Sequence, residues 1–194
     1  MKVNEFLMSS FIKAKLIDEE AAKTVYIEAE KNGRSYFDEL VGQKILSADV
    51  VYSHLSKLFD IEFIDVPINQ IQDNVVSQID NVFLNETRTV PLKLDQNELV
   101  VLIDTPFNIS QANLCRYYLN YNVNPKLVTR ENLDTILNTI SNKDRRIKAI
   151  EELQISENKV IKKTGEEYTL DDYLDAPAVQ LADSLLQEAV VQGA

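Results

Sequence analysis

Thr89-Val90-Pro91-Leu92-Lys93-Leu94 leads through Asp95-Gln96-Asn97 into Glu98-Leu99-Val100-Val101-Leu102-Ile103-Asp104. Both outer runs are rich in aliphatic and β-branched residues, and the polar triplet between them has residue types that tolerate left-handed turn conformations. The pattern predicts a β-hairpin, and with it a sheet that is at least partly antiparallel. Working outward, Ile61-Glu62-Phe63-Ile64-Asp65-Val66 alternates and stops at Pro67, which predicts a further strand. Helical turns are expected from Ile71 to Arg88. After the hairpin, Asn108 or Ser110 can cap a helix running to Leu119, Pro125 to Thr129 reads as another strand, and Arg130 to Ile140 returns to helix.

Upstream the period changes. From Asn4 to about Phe59 apolar residues recur at helical spacing, and Asp18 and Ser47 stand where a side-chain oxygen would cap a helix. A repeat runs through this stretch at an offset of 29 residues: Leu7, Phe11, Ile12, Lys15, Leu16, Ile17 and Asp18 superimpose on Tyr36, Leu40, Val41, Lys44, Ile45, Leu46 and Ser47. Two copies of one helix-turn-helix unit are expected. The fold class is therefore α+β, with a small N-terminal helical bundle over residues 1–60 and a small α/β subdomain with a mixed sheet over 61–141. A charged linker, helical at its start, follows over 142–173. Residues 174–194 close the chain with a helix whose Val179, Leu181, Ala182, Leu185, Leu186, Ala189 and Val190 share one face.

Composition narrows the function. The chain has 194 residues with 20 Lys and Arg against 31 Asp and Glu, and its net charge of -11 repels phosphate backbones and anionic lipid heads. Neither nucleic-acid binding nor membrane insertion is expected, and no apolar run reaches the roughly 18 residues of a membrane span. One cysteine cannot close an intrachain disulfide, which suits a reducing cytoplasm.

Sites of chemistry are scarce. Four glycines, Gly33, Gly42, Gly165 and Gly193, form no phosphate-cradling loop. The single histidine, His54, lies in an apolar helical run and reads as a packing residue, and Cys115 reads as a buried apolar side chain rather than a nucleophile. Asp171, Asp172 and Asp175 read as a complement to a helix N-terminus rather than a metal site. Tyr117, Tyr118 and Tyr121 are expected to line the second core. No catalytic, cofactor-binding or metal-ligating residue is assigned, and the partner-binding surface is not localised.

The run Thr89 to Lys93 followed by Glu98-Leu99-Val100-Val101-Leu102-Ile103-Asp104-Thr105-Pro106-Phe107-Asn108 resembles the V-x-P-L and L-x-V-A-M-A-D-P-x-N patterns in the N-terminal region of type II secretion and type IV pilus assembly ATPases. Asp175-Ala176-Pro177-Ala178-Val179-Gln180-Leu181, through Gly193-Ala194, is similar to the D-A-P-I-V-x-L stretch that opens the ATPase core of that family. The resemblance implies a non-enzymatic segment ending just before the catalytic part of a hexameric motor. ATP and magnesium would belong to the parent protein only.

It further implies a cytoplasmic protein, peripheral at the inner membrane through its partners. The segment would be an adaptor docking the motor onto cytoplasmic domains of membrane platform proteins. The alternative is a sensor of cyclic di-GMP, which some relatives bind through tandem repeats with the pattern R-L-G-x-x-L-V…G…Q. Here the matching positions are Phe6-Leu7-Met8, Lys15 and Ala29, then Ser35-Tyr36-Phe37, Lys44 and Leu58, with Arg34 one residue out of place. Losing the Arg forks and the glycines argues against cyclic di-GMP binding.

Overall fold

The computed structural model describes residues 2–160, and the side chains of residues 2–150. Asp171, Asp172, Asp175 and the helix expected over 174–194 lie outside the described residues. Met1–Leu133 form one compact unit, and Asp134 onward belongs to a second.

The expected repeat is realised by four helices, α1 (Val3–Lys13), α2 (Glu19–Asn32), α3 (Tyr36–Gly42) and α4 (Ala48–Phe59). Leu7 and Phe11 of α1 and their counterparts Tyr36 and Leu40 of α3 are all fully buried. Both helices stop in the same way. Lys15 and Lys44 take left-handed conformations (φ 56° and 58°), and the next amide donates back to the carbonyl of Phe11 (3.1 Å) or Leu40 (3.0 Å). Asp18 then caps α2 by accepting from the Ala21 amide, and Ser47 caps α4 by accepting from Val50.

A left-handed lysine crowds its own Cβ at a cost of roughly 1–2 kcal/mol. Glycine would remove that crowding but would add disorder to the unfolded chain, offsetting about 0.4–1 kcal/mol. Lys15→Gly and Lys44→Gly are each expected to raise the unfolding free energy by about 0.5–1 kcal/mol. Urea midpoints for both variants check this, and a lowered midpoint contradicts it.

The sheet has three strands in the order β1 (Thr89–Asp95), β2 (Glu98–Ile103), β3 (Asn122–Leu127). Asp95 pairs with Glu98, so the hairpin turn is the two residues Gln96 and Asn97, both at positive φ (47° and 69°), the geometry that matches strand twist. Pro91 sits in an edge strand, where its missing N–H costs no ladder bond to a second neighbour, and the register shifts between Pro91 and Lys93. The Leu92 carbonyl exposed by this bulge accepts from the Gln72 amide (2.9 Å), tying down the turn before the short helix α5 (Asp73–Val76).

Every residue of β2 from Leu99 to Ile103 is buried, as a central strand covered on both faces requires. From β2 the chain crosses through helix α7 (Ile109–Leu119) to β3, which runs parallel to β2. A further helix, α6 (Asn81–Thr87), precedes β1.

Two expectations change. The stretch 61–66 is not a full strand: Phe63 makes one parallel bridge to Leu127, with Ile64 N–H donating to the Leu127 carbonyl and the Leu127 amide donating to Glu62. Only Ile61 and Val66, at the two ends of the stretch, are buried, so the burial does not follow a strand's alternation.

Tyr117 and Tyr118 do not line a core, for they are 85% and 49% exposed. The buried stripe of α7 is Ala112 and Cys115; Tyr117, two places beyond Cys115, is carried round the helix away from it, and Tyr118 packs its ring on Phe83 of α6 instead. Small side chains on that stripe let the helix approach the sheet closely. The last described helix, α8 (Arg130–Val160), runs through the charged stretch that begins after Ile140, with no Gly or Pro between its ends to stop it.

Candidate functional site

The most concentrated chemistry lies where the helical repeats meet the sheet. Asp104, directly after β2, is fully buried, and burying a carboxylate is tolerable only with ionic and hydrogen-bonding partners around it. Arg88 supplies two contacts: Nε donates to Oδ2 at 2.7 Å and an Nη lies 2.7 Å from the same oxygen. Arg88 ends α6 in a left-handed conformation (φ 50°), which carries the chain directly into β1 beside Asp104. Arg130, the first residue of α8, donates from Nε to Oδ2 at 3.2 Å.

The other nitrogens of Arg130 extend the junction into the repeats. An Nη lies 2.8 Å from Asp38 Oδ2 on α3, and Asp38 also accepts from the Ser35 hydroxyl. Tyr52 of α4 completes the set: its hydroxyl donates to the Asp104 carbonyl (3.1 Å) and accepts from the Arg130 amide (3.0 Å). Burial, with Asp104 close by, holds the Tyr52 phenol well above its ordinary value. Its ring stacks on Phe63 at 5.5 Å.

Asp104 thus gathers α3, α4, α6, β2 and the start of α8. This arrangement has no nucleophile paired with a base and no open carboxylate, so its chemistry is that of a fixed joint. The sequence did contain the signal in part, since Asp104 belongs to the family-like L-x-V-A-M-A-D-P-x-N run, but its two arginine partners lie 16 and 26 residues away.

The residues singled out from sequence fall as follows. His54 packs its ring on Phe11 (4.3 Å) and shares a hydrogen bond with Ser10 through Nε2 (3.0 Å), a packing role. Partial burial, with Lys57 nearby, lowers its pKa below the ordinary value near 6.5. A histidine that resists protonation when folded contributes stability that is complete above the unfolded pKa and is lost as pH falls below it toward the lowered value. Unfolding free energy is therefore expected to fall between pH 7 and pH 5, and His54→Gln to flatten that part of the profile, as urea titrations across the range would report. An unchanged slope would contradict it.

Cys115 is fully buried with its thiol pushed up by burial and its sulfur 3.9 Å from the Thr89 hydroxyl, a core residue as expected.

Of the positions aligned with the nucleotide-binding pattern, several hold packing or capping groups, while Lys15 and Lys44 are exposed. Phe6 packs edge-on against Phe59, Ala29 and Phe37 are buried, Ser35 caps α3, and Arg34 lies 4.0 Å from the buried carboxylate of Glu39.

The pattern of the MshEN domain family matches residues 59–147. Among solved structures, one described as MshE with cdg shares the fold at a TM-score of 0.58 and 13% identity, covering 69% of this chain and 96% of that one. The N-terminal domain of XpsE matches at a TM-score of 0.53 and 12% identity, over 71% of this chain and 96% of that one. At such identities the likeness is one of fold. No curated protein sequence matches the chain. Residues 59–147 match the MshEN domain family, and the fold around them resembles the N-terminal region of a type II secretion or type IV pilus assembly ATPase.

Proposed function

We propose that this chain is a non-catalytic adaptor that docks an assembly ATPase onto cytoplasmic domains of inner-membrane platform proteins. The observation that carries this reading is the MshEN match, which spans the sheet, α7 and the start of α8. The Asp104 junction suits the role, because an adaptor must pass force between its parts without yielding, and Arg130 pins the first turn of α8 to both the repeats and the sheet. Among the described residues no helix is long and apolar enough to cross a membrane, so membrane association would come through a partner. The parent would be a hexamer that binds ATP with magnesium outside this segment.

Co-elution tests this: the chain is expected to migrate with the cytoplasmic domain of a platform protein encoded beside its gene. Separate migration from every such domain would overturn it.

A second reading is favoured by one finding, the related fold solved as MshE with cdg. In this reading the tandem helices bind cyclic di-GMP and bias the motor. The residues weigh against it. Lys15 and Lys44 stand at the left-handed positions where the pattern has glycine, and Arg34, the arginine beside the pattern in sequence, is one residue out of place and 4.0 Å from Glu39.

A further inference from the structure

The turn between α2 and α3 carries the one Asn-Gly pair in the chain, Asn32-Gly33, and both residues are exposed. An asparagine side-chain amide is open to attack by the backbone nitrogen of the residue that follows it. Glycine, having no Cβ, hinders that attack least. Beyond its chain neighbours, nothing among the described residues lies within 4 Å of where a Cβ on Gly33 would stand, which leaves room for a ring to close and for water.

The fold holds this reaction back. Asn32 is the last residue of α2, and the Gly33 amide donates to the Ala29 carbonyl. That nitrogen must give up its proton before it can attack, and the hydrogen bond keeps the proton in place. The Asn32 side chain is held as well, with Nδ2 donating to Glu39 Oε1 on α3 (3.3 Å). Attack therefore requires the last turn of α2 to open, and helix ends open at lower cost than helix interiors.

The product would meet a site built for an amide. Glu39 is buried; its Oε1 accepts from Asn32 and from Gln43 Nε2 (2.7 Å), while its Oε2 has no hydrogen-bond donor. Gln43 also donates to Glu28 on α2, and Arg34, whose side chain is 63% exposed, lies 4.0 Å from Glu39 Oε2. A carboxylate in place of the Asn32 amide would take a donor from Glu39 and set a second negative charge against it. It would also stand in the last turn of α2, at the negative end of the helix dipole.

We propose that Asn32-Gly33 is a deamidation site, gated by opening of the last turn of α2, whose product weakens the contact between α2 and α3. The Gly33 nitrogen loses its proton and bonds to Asn32 Cγ, and the Cγ–Nδ2 bond breaks as ammonia leaves with a proton. Water then adds to either carbonyl of the cyclic imide and opens it to aspartate or isoaspartate. The net change is amide plus water to carboxylate plus ammonium. Helix α3 also carries Asp38, which pairs with Arg130, so the loss falls on an element that ties the repeats to the Asp104 junction.

The test incubates the full chain at mildly alkaline pH, folded in buffer and unfolded in urea, and follows the peptide 32–44 released by cleavage after Lys31 and Lys44 by mass spectrometry. Conversion at Asn32 is expected in both, about tenfold or more slower in buffer. Asn32→Asp is expected to lower the urea midpoint, and to lower it less when Glu39→Gln is also present. Equal rates in buffer and urea overturn the gating, and absence of conversion in buffer after prolonged incubation overturns the site. An unchanged midpoint for Asn32→Asp, or a drop that Glu39→Gln does not lessen, overturns the effect on the α2–α3 contact.

Discussion

Asp104→Ala is expected to lower the unfolding free energy by about 2–4 kcal/mol, the range for removing one member of a buried ionic group. The aspartate is fully buried, while the side chains of Arg88 and Arg130 are 33% and 45% exposed. Water can partly rehydrate both guanidinium groups once the carboxylate is gone, which places the loss toward the lower end of that range. Asp104→Asn keeps an acceptor of the same shape and should lose less.

Because Asp104 itself is out of reach of solvent, high salt is expected to leave most of the difference in place. Urea unfolding of the three proteins at low and high salt measures this. A change within about 0.5 kcal/mol for Asp104→Ala, the size of an ordinary surface effect, would mean that the junction does not hold the sheet to the repeats.

Phe11→Ala should cost about 3–5 kcal/mol, as deletion of a fully buried aromatic ring does when its cavity cannot collapse. Phe11 has no exposed surface and touches Tyr36 (5.9 Å between ring centres) and His54 (4.3 Å), so the void would open between α1, α3 and α4. Its counterpart in the second repeat, Leu40, is equally buried, and Leu40→Ala should cost about 2–5 kcal/mol. Losses of similar size at both positions would bear out the repeat as one structural unit used twice. Thermal or urea unfolding decides, and a loss below about 1 kcal/mol at Phe11 would contradict the packing described.

The helical half was legible because its signals are local. Asp18 and Ser47 cap the helices that follow them, and the 29-residue offset reappears as two helix ends of the same hydrogen-bonded form. The hairpin was equally readable, since Gln96 and Asn97 lie between two runs of matched length. Residues 61–66 misled because an apolar run ending at a proline fits a strand and an irregular stretch alike, and here a single bridge to Leu127 stands in place of a continuous ladder. Tyr117 and Tyr118 misled for another reason: aromatic character suggests a core, whereas the faces of α7 are set by where Ala112 and Cys115 meet the sheet.

The Asp104 junction was only partly accessible from sequence. A motif can mark the aspartate, but its partners come from α3, α4, α6 and α8 and are brought together only by the tertiary fold.

The most direct test of adaptor function is a calorimetric titration of the purified chain with the cytoplasmic domains of the inner-membrane proteins encoded beside its gene, with cyclic di-GMP titrated in parallel. Saturable heat with a platform domain and none with the nucleotide is the expected result. Heat with cyclic di-GMP and none with any platform domain would contradict adaptor function and establish the sensor in its place.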